Sequence, residues 1–420
     1  VTPRSPRARK PRHGTVLPEK PASSAATSPA ALPRRRPAAV KKAEPELLTE
    51  IVQFFLYDVG RAIDLKKVAA FIPAHDDFEI VKRRDTPASL SLPRPLILAL
   101  GESDCVESGD FECFSAYAKI FEEGAISLII RVKIRAPFAG LSAARSRSIL
   151  NAGRHMSLDT YADESFRKLQ AAIRPAVEDP VPEGTSDREE YVAYCLLECP
   201  GDPAEFIAEN REAAAALLIG EETDASLHPD QVQETLDRTF SYRKDELAIF
   251  DLDRCLIIDP LAGYEDLLLI AEHANYQLLE LRVLDKLLDG WLDEAEDEVR
   301  RVNTGSRRKH RLRGRSAWNK LARIQSLRFD ALFILENLEN SSKIIGDYYL
   351  GQVYDRLCRV FNTDGWKWSV ERRLEILQNV YDMVKTDSNE KVLISLEVWF
   401  IAVVIAVAVI QTYITILITH

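Results

Sequence analysis

The sequence predicts an α+β head built from two related strand–helix–hairpin units. A long-helix bundle or coiled coil follows, and then a single C-terminal transmembrane helix. Three observations carry that expectation. A strand-like segment, a helix and a hairpin pattern recur between Leu47 and Asp259. From Asp259 onward the apolar spacing shifts to three and four residues, the period of a helix. The final run, Val398 to Ile418 (VWFIAVVIAVAVIQTYITILI), contains no charged residue. The expected organisation is a disordered basic leader (1–46), a first α+β unit with a linking helix (47–177), a second α+β unit (178–259), a helical stalk (260–391) and a membrane anchor (392–420).

Residues 1–46 are rich in Pro, Ala, Arg and Ser and carry 11 Lys/Arg against 3 Asp/Glu. Such a segment buries too little apolar surface to offset its ordering entropy. It also has the composition of an organelle transit peptide. In the first unit, Glu50–Tyr57 (EIVQFFLY) has strand propensity and Ala62–Phe71 suits a short helix. Leu96–Leu100 reads as a strand. Phe114–Phe121 and Ala125–Ile134 flank the turn Glu122-Glu123-Gly124 as a long hairpin. Residues 136–156 read as loop, and Leu158–Val177 as a linking helix. In the second unit Glu190–Glu198 is a strand. Asp202–Leu218 is a helix with Asp202 as N-cap and Pro203 in its first turn. A short helix spans Pro229–Arg238, and Glu246–Asp251 and Arg254–Ile258 form the closing hairpin.

Asp259-Pro260 signals a helix start, and Leu267, Ile270, Ala274, Leu278, Leu281, Leu284, Leu288 and Trp291 continue one apolar stripe. A basic run follows, RRVNTGSRRKHRLRGR (300–315), with no acidic residue. Its cations Arg300, Arg301, Arg307, Arg308, Lys309, Arg311, Arg313 and Arg315 are candidate contacts for RNA phosphates or anionic lipid, or a solvated helix connection. A second helix runs through Leu321–Leu338 and a third through Lys343–Phe361, with a turn at Thr363-Asp364-Gly365. Val370, Leu374, Leu377, Tyr381 and Val384 then keep 4-3-4-3 spacing, the pattern of a self-association seam or of an intramolecular bundle.

At about 1.5 Å per residue, Val398–Ile418 spans roughly 30 Å, the thickness of a hydrocarbon core. Trp399 and Tyr413 sit towards its two ends as interfacial aromatics do, and Ala402 and Ala406 place small residues on one face. The expectation is a tail-anchored protein with the lipid bilayer as a partner.

The net charge of −10 is unevenly spread: the leader carries +8, which leaves −18 on the rest. An acidic body argues against general nucleic-acid binding. The cysteines (105, 113, 195, 199, 255, 358) show no metal or disulfide spacing and read as packing residues. No phosphate-binding glycine loop, HExxH pair or GxSxG elbow occurs, so no catalytic, cofactor-binding or metal-ligating residue is assigned. His75-Asp76-Asp77 reads as a solvated loop. Asp251, Asp253 and Asp259 flank the last hairpin as turn and cap residues rather than cation ligands.

The order of segments, with Ile63-Asp64-Leu65, DELAIFDLDRCLIID (245–259), LFILENLENSSKIIGDYYLGQVYDRL (332–357) and Leu396-Glu397-Val398-Trp399, resembles the required-for-meiotic-nuclear-division family, a domain of unknown function in bacteria and mitochondria. This chain differs in the Val398 that splits the family's Leu-Glu-Trp, and in Glu272–Gln277 and Gly346–Tyr349. The resemblance implies an oligomeric inner-membrane scaffold or tether that supports organelle translation; the tail, with two residues after the apolar run, puts the expected bulk on the cytoplasmic or matrix side, and the head is expected to bind a partner protein. It carries over no catalytic residue. The alternatives are an enzyme with a pocket between the two α+β units, and RNA, ribosome or anionic-lipid contact through 300–315.

Overall fold

The computed structural model describes residues 45–74, 78–80, 95–100, 106–107, 110–151, 153–221, 226–304, 328–329, 331–333, 335–336 and 347–419. Of 74, 79, 106–107, 145, 295–304, 384–396, 408–409 and 412–419 it describes the backbone alone.

The described residues open with a central strand of 13 residues. In β1 (Glu46–Asp58, ELLTEIVQFFLYD) nearly every residue from Leu47 to Tyr57 is buried. A strand that alternates faces yet is apolar on both has a layer packed on each side. In chain order there follow β2 (Ala62–Ile63), α1 (Leu65–Phe71), β3 (Phe78–Ile80), β4 (Leu96–Leu100), β5 (Val106–Glu107), β6 (Cys113–Ile120), β7 (Ala125–Pro137), β8 (Ser148–Asn151) and β9 (Arg154–Ser157). Then come α2 (Leu158–Ile173), β10 (Val177–Glu178), β11 (Arg188–Leu196), α3 (Pro203–Glu209), α4 (Arg211–Ile219), α5 (Pro229–Thr235), β12 (Leu247–Phe250) and β13 (Arg254–Ile258). The chain closes with α6 (Glu265–Thr304), α7 (Tyr348–Val360) and α8 (Thr363–Thr419).

Among the described residues the principal sheet has eight strands in the order β12-β13-β11-β1-β7-β6-β4-β3. This overturns the expectation of two separate α+β units. The two supposed opening strands, β1 and β11, are hydrogen-bonded neighbours at the sheet centre, paired antiparallel from Thr49↔Leu196 to Tyr57↔Arg188. Neither half could keep its ladder without the other, because each would expose an unpaired edge. Among the described strands only β11 and β13 run parallel. A parallel pair needs a long crossover, and α3, α4 and α5 supply it between the two strands.

One face of the sheet buries Leu47, Ile51, Phe55, Leu128, Ile130, Tyr194 and Leu256 against α2, α4 and α5. The opposite face buries Val52, Phe54, Ile129, Tyr191, Cys195 and Ile257 against α6 and α7. The architecture is therefore a mixed three-layer α/β/α sandwich with a helical extension. Beyond the sheet, Leu281, Leu284 and Leu288 of α6 meet Ala331, Leu335 and, from α8, Val370, Leu374 and Leu377 in a third cluster. Arg373 clamps this joint, reaching Asp285 at 2.5 Å.

Local chemistry sets several boundaries. Asp64 caps α1 by accepting from the backbone N–H groups of Lys66 and Lys67, each at 3.1 Å. The expected single helix at Asp202–Leu218 breaks at Asn210. Its amide Nδ2 donates to the Phe206 carbonyl at 2.8 Å and its backbone leaves the helical region. The long helix starts at Glu265 rather than Asp259, because the Asp259 carboxylate accepts from Leu261 N (3.0 Å) and Gly263 N (2.7 Å) and holds a turn there. Thr363-Asp364-Gly365 is not a turn but the first turn of α8. The stretch 136–156, read as loop, holds the β8–β9 hairpin. Gly124 ends the β6–β7 turn with φ +104, and a Cβ there would stand 1.9 Å from the Gly60 carbonyl oxygen.

The C-terminal expectation is also corrected. Among the described residues no helix is long and apolar enough to cross a membrane. Val398–Ile418 is not a separate element but part of the 57-residue α8, continuous with the charged segment before it. The readings of a transmembrane helix, a tail anchor and a single-pass inner-membrane protein are not supported.

Candidate functional site

Polar side chains concentrate in two places, an interior seam beneath α6 and two clefts at the β12 end of the sheet. The seam follows from strand alternation: Glu50, Lys119, Ser127 and Arg131 lie on the α6 side of β1, β6 and β7. Lys119 and Glu272, both nearly inaccessible, form an ion pair at 2.5 Å. Arg131 bridges Glu50 (2.9 Å) and Glu265 (2.6 Å), and the Tyr264 hydroxyl donates to the same Glu50 carboxylate. Burial works against the charge on Arg131, but Glu265 and Glu50 outweigh it and hold its pKa above the ordinary value. Burial, the Cys195 thiol and Glu50 push Tyr264 up, so this hydroxyl stays a donor.

Further along α6, Glu272, His273, Asn275 and Gln277 are all buried, an unusual density of polar groups for a core helix. Asn275 Nδ2 satisfies itself on the Ala271 carbonyl at 2.9 Å. Gln277 accepts from the Tyr354 hydroxyl. His273 lies between the rings of Tyr276 and Tyr354, each centroid 6.2 Å away, and burial lowers its pKa to about 4. It is neutral at physiological pH, and its Nε2 has no partner among the described residues. The seam's pairs join α6 to β1, β6 and β7 and fix how that helix sits on the sheet.

The first cleft, about 290 Å³, lies between the β12–β13 hairpin, the start of α6 and the start of α7. Arg243 crosses it to Glu246 (3.0 Å) and Asp259 (3.1 Å). Asp347 caps α7 through Leu350 N at 3.0 Å. The rings of Tyr242 and Tyr349 stand 5.4 Å apart at its mouth. Burial, Glu246 and Asp259 raise Tyr349 to about 12. With its arginine already neutralised, this cleft presents carboxylates. The second cleft, about 460 Å³, lies between α5, the β12–β13 turn and the end of α7, and it presents Arg238, Arg356 and Arg359.

The residues singled out from the sequence scatter. Val370, Leu374 and Leu377 are buried within the chain's own third cluster, and Tyr381 of the same seam is half-buried. The side chain of Val384 lies outside the described residues. Trp399, Ala402 and Ala406 are exposed on α8, and the Tyr413 side chain lies outside the described residues. Arg300 and Arg301 belong to the backbone of α6, while Arg307, Arg308, Lys309, Arg311, Arg313 and Arg315 lie outside the described residues, as do His75, Asp76 and Asp77. Asp259 is committed to Arg243 and its own turn. Among the described residues no group of His, Cys, Asp and Glu is arranged to hold a metal ion. The two α+β units between which a pocket is expected share one sheet. Sequence reasoning missed the seam and both clefts. One usable signal was present: the polar string Glu272–Gln277 interrupting an otherwise apolar helix stripe.

The fold and its clefts define a three-layer α/β/α domain that carries a helical arm. Residues 49–265 match the family described as the uncharacterized protein MJ0711, N-terminal domain, and the chain belongs to that family. It is 28% identical over 202 residues to the uncharacterized protein MJ0711 of Methanocaldococcus jannaschii, a match covering 48% of this chain and 59% of the relative. The chain thus spans about 59% of the length of that relative. No solved structure matches. The comparisons establish a domain family of unknown function and do not return the required-for-meiotic-nuclear-division family.

Proposed function

We propose that this protein is a self-associating scaffold: the α/β/α head presents surfaces to a partner protein, and the outer part of α8 joins copies of the chain. The observation that carries the reading is the exposure of Val398, Trp399, Phe400, Ile401, Val404, Ile405 and Val407, each at least half open to solvent. A helix apolar on all sides is the signature of a buried element, and so large an exposed apolar surface marks an interaction site. The occupant is a second copy of this chain. The same helix is already engaged within the chain through Val370, Leu374 and Leu377, so the outer segment continues a packed bundle. Ala402 and Ala406, one helical turn apart, allow a neighbouring helix close approach. Closed symmetric assemblies of one chain are the commonest way to cover such a surface.

The resemblance to the required-for-meiotic-nuclear-division family extends the proposal to a scaffold that supports translation in an organelle. The basic run 300–315 is then the segment to meet RNA, since the rest of the body is acidic. The test is the solution mass of the full chain, by light scattering, against the double variant Ile401→Glu/Ile405→Glu. The proposal expects an oligomer that becomes a monomer with unchanged circular dichroism. A monomeric parent chain, or a variant of undiminished mass, would reject it.

A further inference from the structure

The cleft at the end of α7 brings three guanidinium groups together. Elsewhere Arg61, Arg131, Arg135, Arg188, Arg243 and Arg373 each have a carboxylate within ion-pair distance. Arg238, Arg356 and Arg359 share one cleft, and none makes an ion pair with a described residue. Arg356 and Arg359 are three apart near the C-terminus of α7, so they project from one helix face. Arg359 spends its Nε on the Asp355 carbonyl (3.1 Å), while the buried Nε of Arg356 has no partner among the described residues. Burial lowers the pKa of Arg356, and Arg238 and Arg359 add to this as like charges while Asp251 and Asp237 oppose them.

Carboxylates are present, since Glu234, Asp237 and Asp251 also line the cleft, but none pairs with a guanidinium. Asp251 instead accepts from Leu252 N at 2.9 Å, and burial raises its pKa. The carbonyl end of α7 offsets part of the repulsion among the arginines. It does not supply the in-plane acceptors that a guanidinium fork is shaped to meet.

We propose that this cleft binds the phosphate group of a small phosphorylated molecule, with Arg356 and Arg359 as the fork and Arg238 closing over it. Guanidinium forks match tetrahedral phosphate oxygens two at a time, and such charge-assisted bonds are about twice as strong as neutral ones. The volume of about 460 Å³ exceeds what a free phosphate ion fills, so an organic body accompanies the phosphate. Gln231 and Thr235 of α5 are the neutral polar groups placed to meet that body. The site is independent of the self-association surface on α8.

The experiment is calorimetric titration of the full chain with inorganic phosphate and, separately, with adenosine monophosphate. The parent chain is compared with Arg356→Gln, Arg359→Gln, Arg356→Lys and the control Arg372→Gln, whose side chain pairs with Glu375 within α8. The proposal expects the monophosphate to bind more tightly than inorganic phosphate. It expects both glutamine variants to weaken binding about tenfold or more, the lysine variant to fall between, and the control to match the parent. Absence of binding by either probe, or equal affinity in Arg359→Gln and the parent, would overturn it. Arg359 is exposed, so its substitution keeps the test valid if Arg356→Gln fails to fold. Inorganic phosphate binding as tightly as the monophosphate would overturn the assignment of an organic body.

Discussion

Replacing Lys119 by methionine is expected to be among the most damaging single changes to the sheet. The side chains of Lys119 and Glu272 are 6% and 3% exposed and meet at 2.5 Å across the interface between β6 and α6. At an effective dielectric constant of 20, two unit charges at that separation attract by about 7 kcal/mol, most of which offsets the desolvation of both groups. Lys119→Met removes the attraction and leaves the Glu272 carboxylate buried, with Oε1 already lacking a partner among the described residues. The expected loss is about 3–5 kcal/mol of unfolding free energy. Lys119→Met combined with Glu272→Leu removes the orphaned charge and should return to within about 1–2 kcal/mol of the parent. Guanidinium chloride unfolding of the four members of this cycle, with equal slopes, measures both the single losses and their coupling. A Lys119→Met loss under about 1 kcal/mol, or a coupling energy indistinguishable from zero, would refute the reasoning that the seam is desolvated and paired.

Other changes test other parts of the fold. His273 has its pKa lowered by burial to about 4, against 6.5 for the ordinary group. The unfolded chain therefore binds the extra proton first, and this residue's contribution to stability, complete above pH 6.5, is lost as pH falls towards 4. The difference amounts to about 3 kcal/mol. His273→Gln should flatten the parent's stability–pH curve in that window, and an unchanged slope would contradict the burial of a neutral imidazole. Gly124→Ala places a methyl 1.9 Å from the Gly60 carbonyl oxygen at a left-handed φ, so it should lower soluble yield or cost more than about 2 kcal/mol in chemical unfolding. Leu374→Ala opens the third cluster, where the residue is 5% exposed. It should destabilise by about 2–3 kcal/mol while the solution mass stays that of the parent, because this seam closes within one chain. A drop in mass would instead place Leu374 between copies.

Strand β1, the β6–β7 hairpin, α2, β11 and the β12–β13 hairpin were legible in the sequence because each carries a local period or turn signal. The EIVQFFLY run and the Glu122-Glu123-Gly124 turn announce themselves without reference to any partner. The loop assigned to 136–156 failed because the short strands β8 and β9 form a hairpin too brief to show alternation. The membrane reading is not supported, because among the described residues no helix is long and apolar enough to cross a membrane. Of the candidate sites, Glu272–Gln277 was visible as an anomaly, but its meaning was not. Lys119 lies 153 residues away, and no local pattern links a lysine in one strand to a glutamate in a later helix.

By itself, the sequence determined the elements whose causes are local: Asp202 as a helix cap, the alternation of the strands, and the apolar stripe of α6. Only the tertiary structure decided that β1 and β11 are neighbours, so that two apparent units share one sheet. It also decided that Val370, Leu374 and Leu377 pack within their own chain and that Arg238, Arg356 and Arg359 face one cleft. The reason is the range of the forces. Caps, turns and periodicity act over a few residues, whereas strand pairing, ion-pair burial and cleft formation join groups from distant parts of the chain.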